Sequence, residues 1–176
     1  MSSSPEQVDP QEDEDVIQGS CFCGGVSYEV YGTPVLSAFC HCTKCQRMTG
    51  CPFVHTIHYD ASAFAWTHPG FHLSRLDSYN VPEKPWKTRY RCKQCGCTVA
   101  SHNAKTSHWS VWGAQLQRGE DGKIMNWEKI KPTAHIFYGT RMMDVHDDLG
   151  KWEGYEGTSP RIIQPWSGAS PNPTPN

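Results

Sequence analysis

The sequence predicts a mainly β domain of short strands stapled by metal, and three observations predict it. Glycine and proline are frequent, 15 and 13 of 176 residues, which works against long helices. Several short runs are rich in β-branched and aromatic residues. Seven of the nine cysteines fall into groups with metal-ligand spacing.

Taken in order, residues 1–15 hold six acids, no base and no hydrophobic periodicity, and are expected to be a disordered acidic tail. One domain is expected over 16–160, followed by a Pro/Ser/Asn-rich tail over 161–176 that ends SGASPNPTPN. Within the domain, VSYEVY (26–31) alternates, with Val26, Tyr28 and Val30 on one face. FVHTIHY (53–59), SHWSVWG (107–113) and AHIFYG (134–139) read as strands, and Asp121-Gly122 and Pro69-Gly70 as turns. KCQRMTG and the SAFAW region invite short helical turns.

Composition excludes several classes of function. The net charge is −2; without the acidic tail, 16 basic residues face 12 acidic ones. Seven metal-bound thiolates and two Zn²⁺ bring the remainder close to neutral, which is no footprint for nucleic acid. No apolar run is long enough to cross a membrane. The first 20 residues lack a hydrophobic signal segment, so the expected location is cytoplasmic and reducing, where thiols persist or bind metal rather than form disulfides. The expected partner is a small molecule; the oligomeric state is not specified.

The cysteines form Cys21-Phe-Cys23 followed by Gly24-Gly25, then Cys40-His-Cys42-Thr-Lys-Cys45, then Cys92-Lys-Gln-Cys95 followed by Gly96. A C-x-x-C turn lets two sulfurs reach one ion while backbone N–H groups point at them. Residues i and i+2 of a strand share a face, so a C-x-C pair can chelate where the chain bends just beyond it. Cys21, Cys23, Cys92 and Cys95 fit a closed tetrahedral zinc site. Cys40, Cys42 and Cys45 are then a three-thiolate set whose fourth ligand comes from water or substrate. The alternative is a single zinc ribbon of Cys42 and Cys45 with Cys92 and Cys95. Cys51 is expected to be a small buried residue, and Cys97 to stay near the closed site.

GSCFCGGVSYEV, FCHCTKCQRMTGCPF and YRCKQCGCTV resemble the CENP-V/GFA domain family, which includes the glutathione-dependent formaldehyde-activating enzymes. The resemblance runs over about residues 18–155. It implies an Mss4-like fold of several short curled antiparallel sheets stapled by zinc. It implies structural zinc on Cys21, Cys23, Cys92 and Cys95, and catalytic zinc on Cys40, Cys42 and Cys45. The implied reaction is addition of glutathione to formaldehyde or its reverse, a carbon–sulfur lyase step. The sequence departs from the family in having Gln46 and then Arg47 where an arginine usually follows the third catalytic cysteine. It also has Cys97 in place of a small hydroxyl residue, and no tryptophan near Met143.

Zinc on three thiolates is a soft acid suited to a thiol such as glutathione. Either direction of the reaction needs a proton carrier. His41, His55 and His58 are the candidates; His41 is expected to point outward, and at most one of His55 and His58, three apart on a strand, can face the site. Arg47 could hold a carboxylate of the ligand. Trp109 and Trp112 are expected in the core. Two other readings stand beside the thiol–aldehyde enzyme: a zinc lyase, dehydratase or hydrolase acting on another small molecule in a biosynthetic pathway, and a non-catalytic zinc scaffold.

Overall fold

The computed structural model describes residues 16–163. The acidic tail expected over 1–15, and residues 164–176 of the second expected tail, lie outside the described residues. Strands dominate. β1 (Val16–Ser20) and β2 (Ser27–Tyr31) form an antiparallel pair with Gly19 opposite Tyr28. The predicted alternation is present: Val26, Tyr28 and Val30 are fully buried, and Tyr31 is exposed.

β3 (Leu36–Cys40) leads into α1 (Thr43–Thr49), and β4 (Val54–Asp60) returns antiparallel to β3. The SAFAW region makes a single 3-10 turn, Ala61–Ala63, and then becomes β5 (Phe64–Trp66). Tertiary packing decides this, because Phe64 stacks on Trp109 with ring centroids 4.1 Å apart and Trp66 meets Tyr28 edge-on. The short α2 (His72–Arg75) precedes β6 (Leu76–Val81), β7 (Lys84–Cys92), β8 (Thr98–Asn103) and β9 (His108–Trp112). At the expected Asp121-Gly122 turn, the Gly119 N–H bonds the Lys123 carbonyl at 2.9 Å. α3 (Trp127–Ile130), β10 (Ala134–Ile136) and β11 (Gly150–Lys151) complete the fold.

The strands form two sheets. One has the order β1-β2-β5; the other has the order β11-β10-β3-β4-β9-β8-β7-β6. The larger sheet is mixed rather than wholly antiparallel, since β10 runs parallel to both β3 and β11. The main core lies between the sheets, where Val26, Tyr28 and Val30 meet Ile57, Tyr59 and Val111. The opposite face of the large sheet carries a second cluster built on Ala38, Cys40, Val54, Trp112 and Ile136. Trp109 and Trp112 thus both pack into apolar clusters, on opposite faces. No helix among the described residues is long and apolar enough to cross a membrane.

Candidate metal centre

Two groups of cysteine sulfurs form, and the sulfurs of each lie within 4.8 Å of one another: Cys21, Cys23, Cys92 and Cys95, and separately Cys40, Cys42 and Cys45. The single-ribbon arrangement is not what forms.

The four-cysteine group joins two knuckles. The first follows β1; the second links β7 to β8. Gly24 and Gly96 take φ of +74° and +71°, a conformation that glycine adopts without strain. Their N–H groups bond back to the Cys21 and Cys92 carbonyls at 3.0 and 2.9 Å. The Val26 N–H donates to Cys21 Sγ at 3.3 Å. Sulfur separations of 3.6 Å (Cys21–Cys23) and 3.8 Å (Cys23–Cys92) match the edge of a tetrahedron with metal–sulfur bonds of about 2.3 Å, roughly 3.8 Å. The group therefore fits a tetrahedral thiolate-bound metal. Burial pushes the Cys21 thiol up to about 12, a penalty that a bound cation removes. Cys97 stays beside this group, half-buried, its sulfur accepting from Gln115 Nε2 at 3.2 Å.

The three-cysteine group grows from the end of β3 and the start of α1. Cys42 is the N-cap of α1, and its sulfur accepts the Cys45 N–H at 3.4 Å. Hydrogen bonds from Cys40 and Cys45 hold the Cys42 thiol down to about 2, and the same bond to Cys42 pushes Cys40 far up. Three cysteine sulfurs this close to one another are a donor set that fits a soft cation. No fourth Cys, His, Asp or Glu ligand atom joins the three within 4.8 Å among the described residues. Cys51, expected to be buried, is exposed instead, its sulfur 3.7 Å from the Thr49 carbonyl. The turn after α1 carries it to the surface.

The three sulfurs open into a cavity of about 300 Å³. Strand register builds its floor. Cys40 faces Val54 across β3 and β4, so Thr56 and His58 fall on the same side, and His58 continues a row through Ser110 and Ser101 to Arg89. Phe137, Thr140 and Tyr155 close another wall. Burial, and then the negative charge of the Cys40, Cys42 and Cys45 sulfurs as thiolates, raises the Tyr155 phenol. Burial, followed by Lys87 and His108, lowers His58 to about 3, so it stands neutral.

His55 lies on the other face, its Nε2 2.8 Å from Ser37 Oγ. Ser37 gives its proton to the Ile130 carbonyl, so His55 donates to Ser37, which excludes a serine–histidine nucleophile pair. Arg47 is exposed and lies outside the cavity lining. Gln46, standing where the family's arginine usually does, uses its Nε2 to tie the His41 and Thr140 carbonyls together at 2.8 and 3.0 Å.

His41 corrects an expectation. It is fully buried, not outward-facing, because β10 pairs alongside β3 and brings His135 against it. His41 Nε2 lies 2.8 Å from His135 Nδ1, and His135 Nε2 lies 2.8 Å from Asp147 Oδ2. The carboxylate accepts from His135, so His135 Nδ1 accepts from His41. Burial pushes the Asp147 carboxyl up, but hydrogen bonds from Lys151 and His135 outweigh it and leave the group below its usual range. Burial, then His135 and Arg141, lowers His41 to about 4. The ring is therefore a neutral anchor beneath the peptide that carries Cys40 and Cys42. Its signal in the sequence, a histidine inside C-x-C, was visible; its partners, 94 and more residues away, were not.

The family model described as glutathione-dependent formaldehyde-activating enzyme matches residues 16–140. Asp147 and Tyr155 lie beyond that range. No curated protein matches the chain. Among solved structures, it is similar to a Rhodobacter sphaeroides protein determined by crystallography as a structural-genomics target. That likeness has 21% identity and a TM-score of 0.43, and covers 61% of this chain and 96% of the other. The family match spans most of the chain and contains both cysteine groups, and the chain belongs to the glutathione-dependent formaldehyde-activating enzyme family.

Proposed function

We propose that the chain is a zinc-dependent carbon–sulfur lyase-like enzyme that makes or breaks a thiol–aldehyde adduct, with glutathione and formaldehyde as the family's substrates. One observation carries the reading: three cysteine sulfurs, with no fourth protein ligand atom in reach among the described residues, open into a cavity. Cys40, Cys42 and Cys45 hold the reactive-site zinc, and Cys21, Cys23, Cys92 and Cys95 hold a structural one. A bound zinc would supply an open soft position that favours a thiol in its thiolate form.

In the adding direction, a sulfur–carbon bond forms at the aldehyde carbon, and the proton lost by the thiol ends on the former carbonyl oxygen. No oxidant or reductant is needed. Tyr155 and Thr56 line the cavity with hydroxyl groups that can donate to that oxygen. His58, neutral in its resting state, serves as a hydrogen-bonding wall rather than a cationic acid. His55, on the far face, is too remote to serve.

The test follows exchange between free glutathione and its hydroxymethyl adduct by NMR, with the zinc-loaded protein. The expected result is faster exchange that disappears in Cys42→Ala. Exchange no faster than in buffer would overturn the assignment. Metal analysis should give two zinc ions per chain for the wild type and one for Cys42→Ala.

A further inference from the structure

The cavity beside the three cysteines is strongly cationic. Lys44, Lys84, Lys87 and Arg89 line it, and no Asp or Glu does. Lys44 sits at the rim and pairs with Glu83 at 3.6 Å. Arg89 is different: it is only 8% exposed. Its Nη1 donates to the Lys87 carbonyl at 3.3 Å, and Lys87 Nζ reaches Ser110 Oγ at 3.4 Å. Neither side chain forms a salt bridge with a carboxylate among the described residues. Elsewhere the fold pairs its sheltered cations, as with Lys151 and Asp147 at 2.7 Å.

Burying unpaired charge costs several kcal/mol per ion, so a partner for these cations is expected. The three thiolates are one candidate. Three thiolates around a divalent cation carry a net −1, whereas Lys87 and Arg89 together carry +2. One positive charge remains over, before Lys84 is counted. The small, buried Ser110 and Ser101 separate His58 from Arg89 along the cross-strand row, and Lys87 Nζ reaches across to Ser110, so both cations stand on the strand row that runs to His58 at the cysteine end of the cavity.

We propose that Arg89 and Lys87 form an anion clamp that binds the substrate by a carboxylate while its sulfur lies at the three-cysteine end of the same cavity. About 300 Å³ is at the small end for ligand sites, so one compact molecule spans both ends. The substrate class is a thiol that carries a carboxylate, such as glutathione or a shorter mercapto-acid, or its aldehyde adduct. The clamp replaces Arg47 as the carboxylate holder and rests on the thiol reading of the metal site.

The test uses the full chain with cobalt in both sites and reads the visible spectrum during titration with 3-mercaptopropionate or 2-mercaptoethanol. A charge-assisted clamp should favour the acid by about tenfold or more. Arg89→Gln and Lys87→Gln should each shrink that ratio, and the double variant should bring it close to 1. If Arg89→Gln does not fold, the Lys87→Gln ratio alone decides. Equal affinities in the wild type, or a ratio that survives the substitutions, overturns the clamp. If neither thiol changes the spectrum, the metal–thiol reading fails, and calorimetry with succinate then judges the clamp alone. Succinate binding that the double variant loses supports it; no binding overturns it.

Discussion

His55 and His58 stand three residues apart on one strand and meet different surroundings. His58 lines the cavity, whereas His55 is sealed between Ser37, the Ile130 carbonyl and Trp127. Burial lowers His55 to about 4, and only the Ile130 carbonyl opposes it. Because the folded value is depressed, the unfolded chain binds more protons between about pH 4 and 6.5. The stability that His55 contributes is therefore fully present above pH 6.5 and lost as pH falls towards 4. A shift of this size corresponds to at most about 3 kcal/mol. His55→Gln should thus lose less melting temperature than the wild type between pH 7 and pH 4.5. Acid release of metal affects both proteins alike, so the difference isolates this residue. Melting curves that fall in parallel would refute the assignment.

β4 and the turn after β9 show what an element-level reading captures. Gly113 opens the 3-10 turn Gly113–Gln115, and a Cβ there would lie 2.1 Å from His55 Nδ1. The side chain of β4 needs that space, so Gly113→Ala should destabilise the protein by about 1–3 kcal/mol through overpacking. Urea unfolding would measure it, and a change below about 0.5 kcal/mol would show that the ring moves aside freely. The alternation in 26–31 and the β-branched run in 53–59 were legible because each strand keeps one face in the core, and residue type then reports the pleat. The helical turn in KCQRMTG was legible too; that Cys42 caps it was not. The sequence marks β10 as a strand but not its parallel pairing with β3, since nothing local encodes a partner 96 residues away in register. The burial of His41 was missed for the same reason. Nothing local marks Arg89 and Lys87, because β7 is mostly half-exposed and only cross-strand register brings it to the cysteines.

At the scale of the molecule, the two cysteine groups should differ in what they do for folding. Cys23 and Cys92 are 69 residues apart and come together where the small sheet meets the far end of the large one. Cross-linking a loop of that length removes about 4 kcal/mol of chain entropy from the unfolded state, comparable to much of a domain's net stability. Cys40 to Cys45 closes only a few residues, and its tie is local to β3 and α1. Cys92→Ala should therefore melt far lower than wild type or fail to stay soluble, and should lose the metal of the four-cysteine group. Cys42→Ala should lose the helix cap, which is worth about 0.5–2 kcal/mol, together with one metal, and should melt only a few degrees lower. Thermal melts and metal content of both variants, set against the glutathione exchange rate, separate the roles. Cys42→Ala should be folded and inactive. If both variants collapse equally, the three-cysteine group is also a folding staple, and the division into a structural and a reactive metal falls with it.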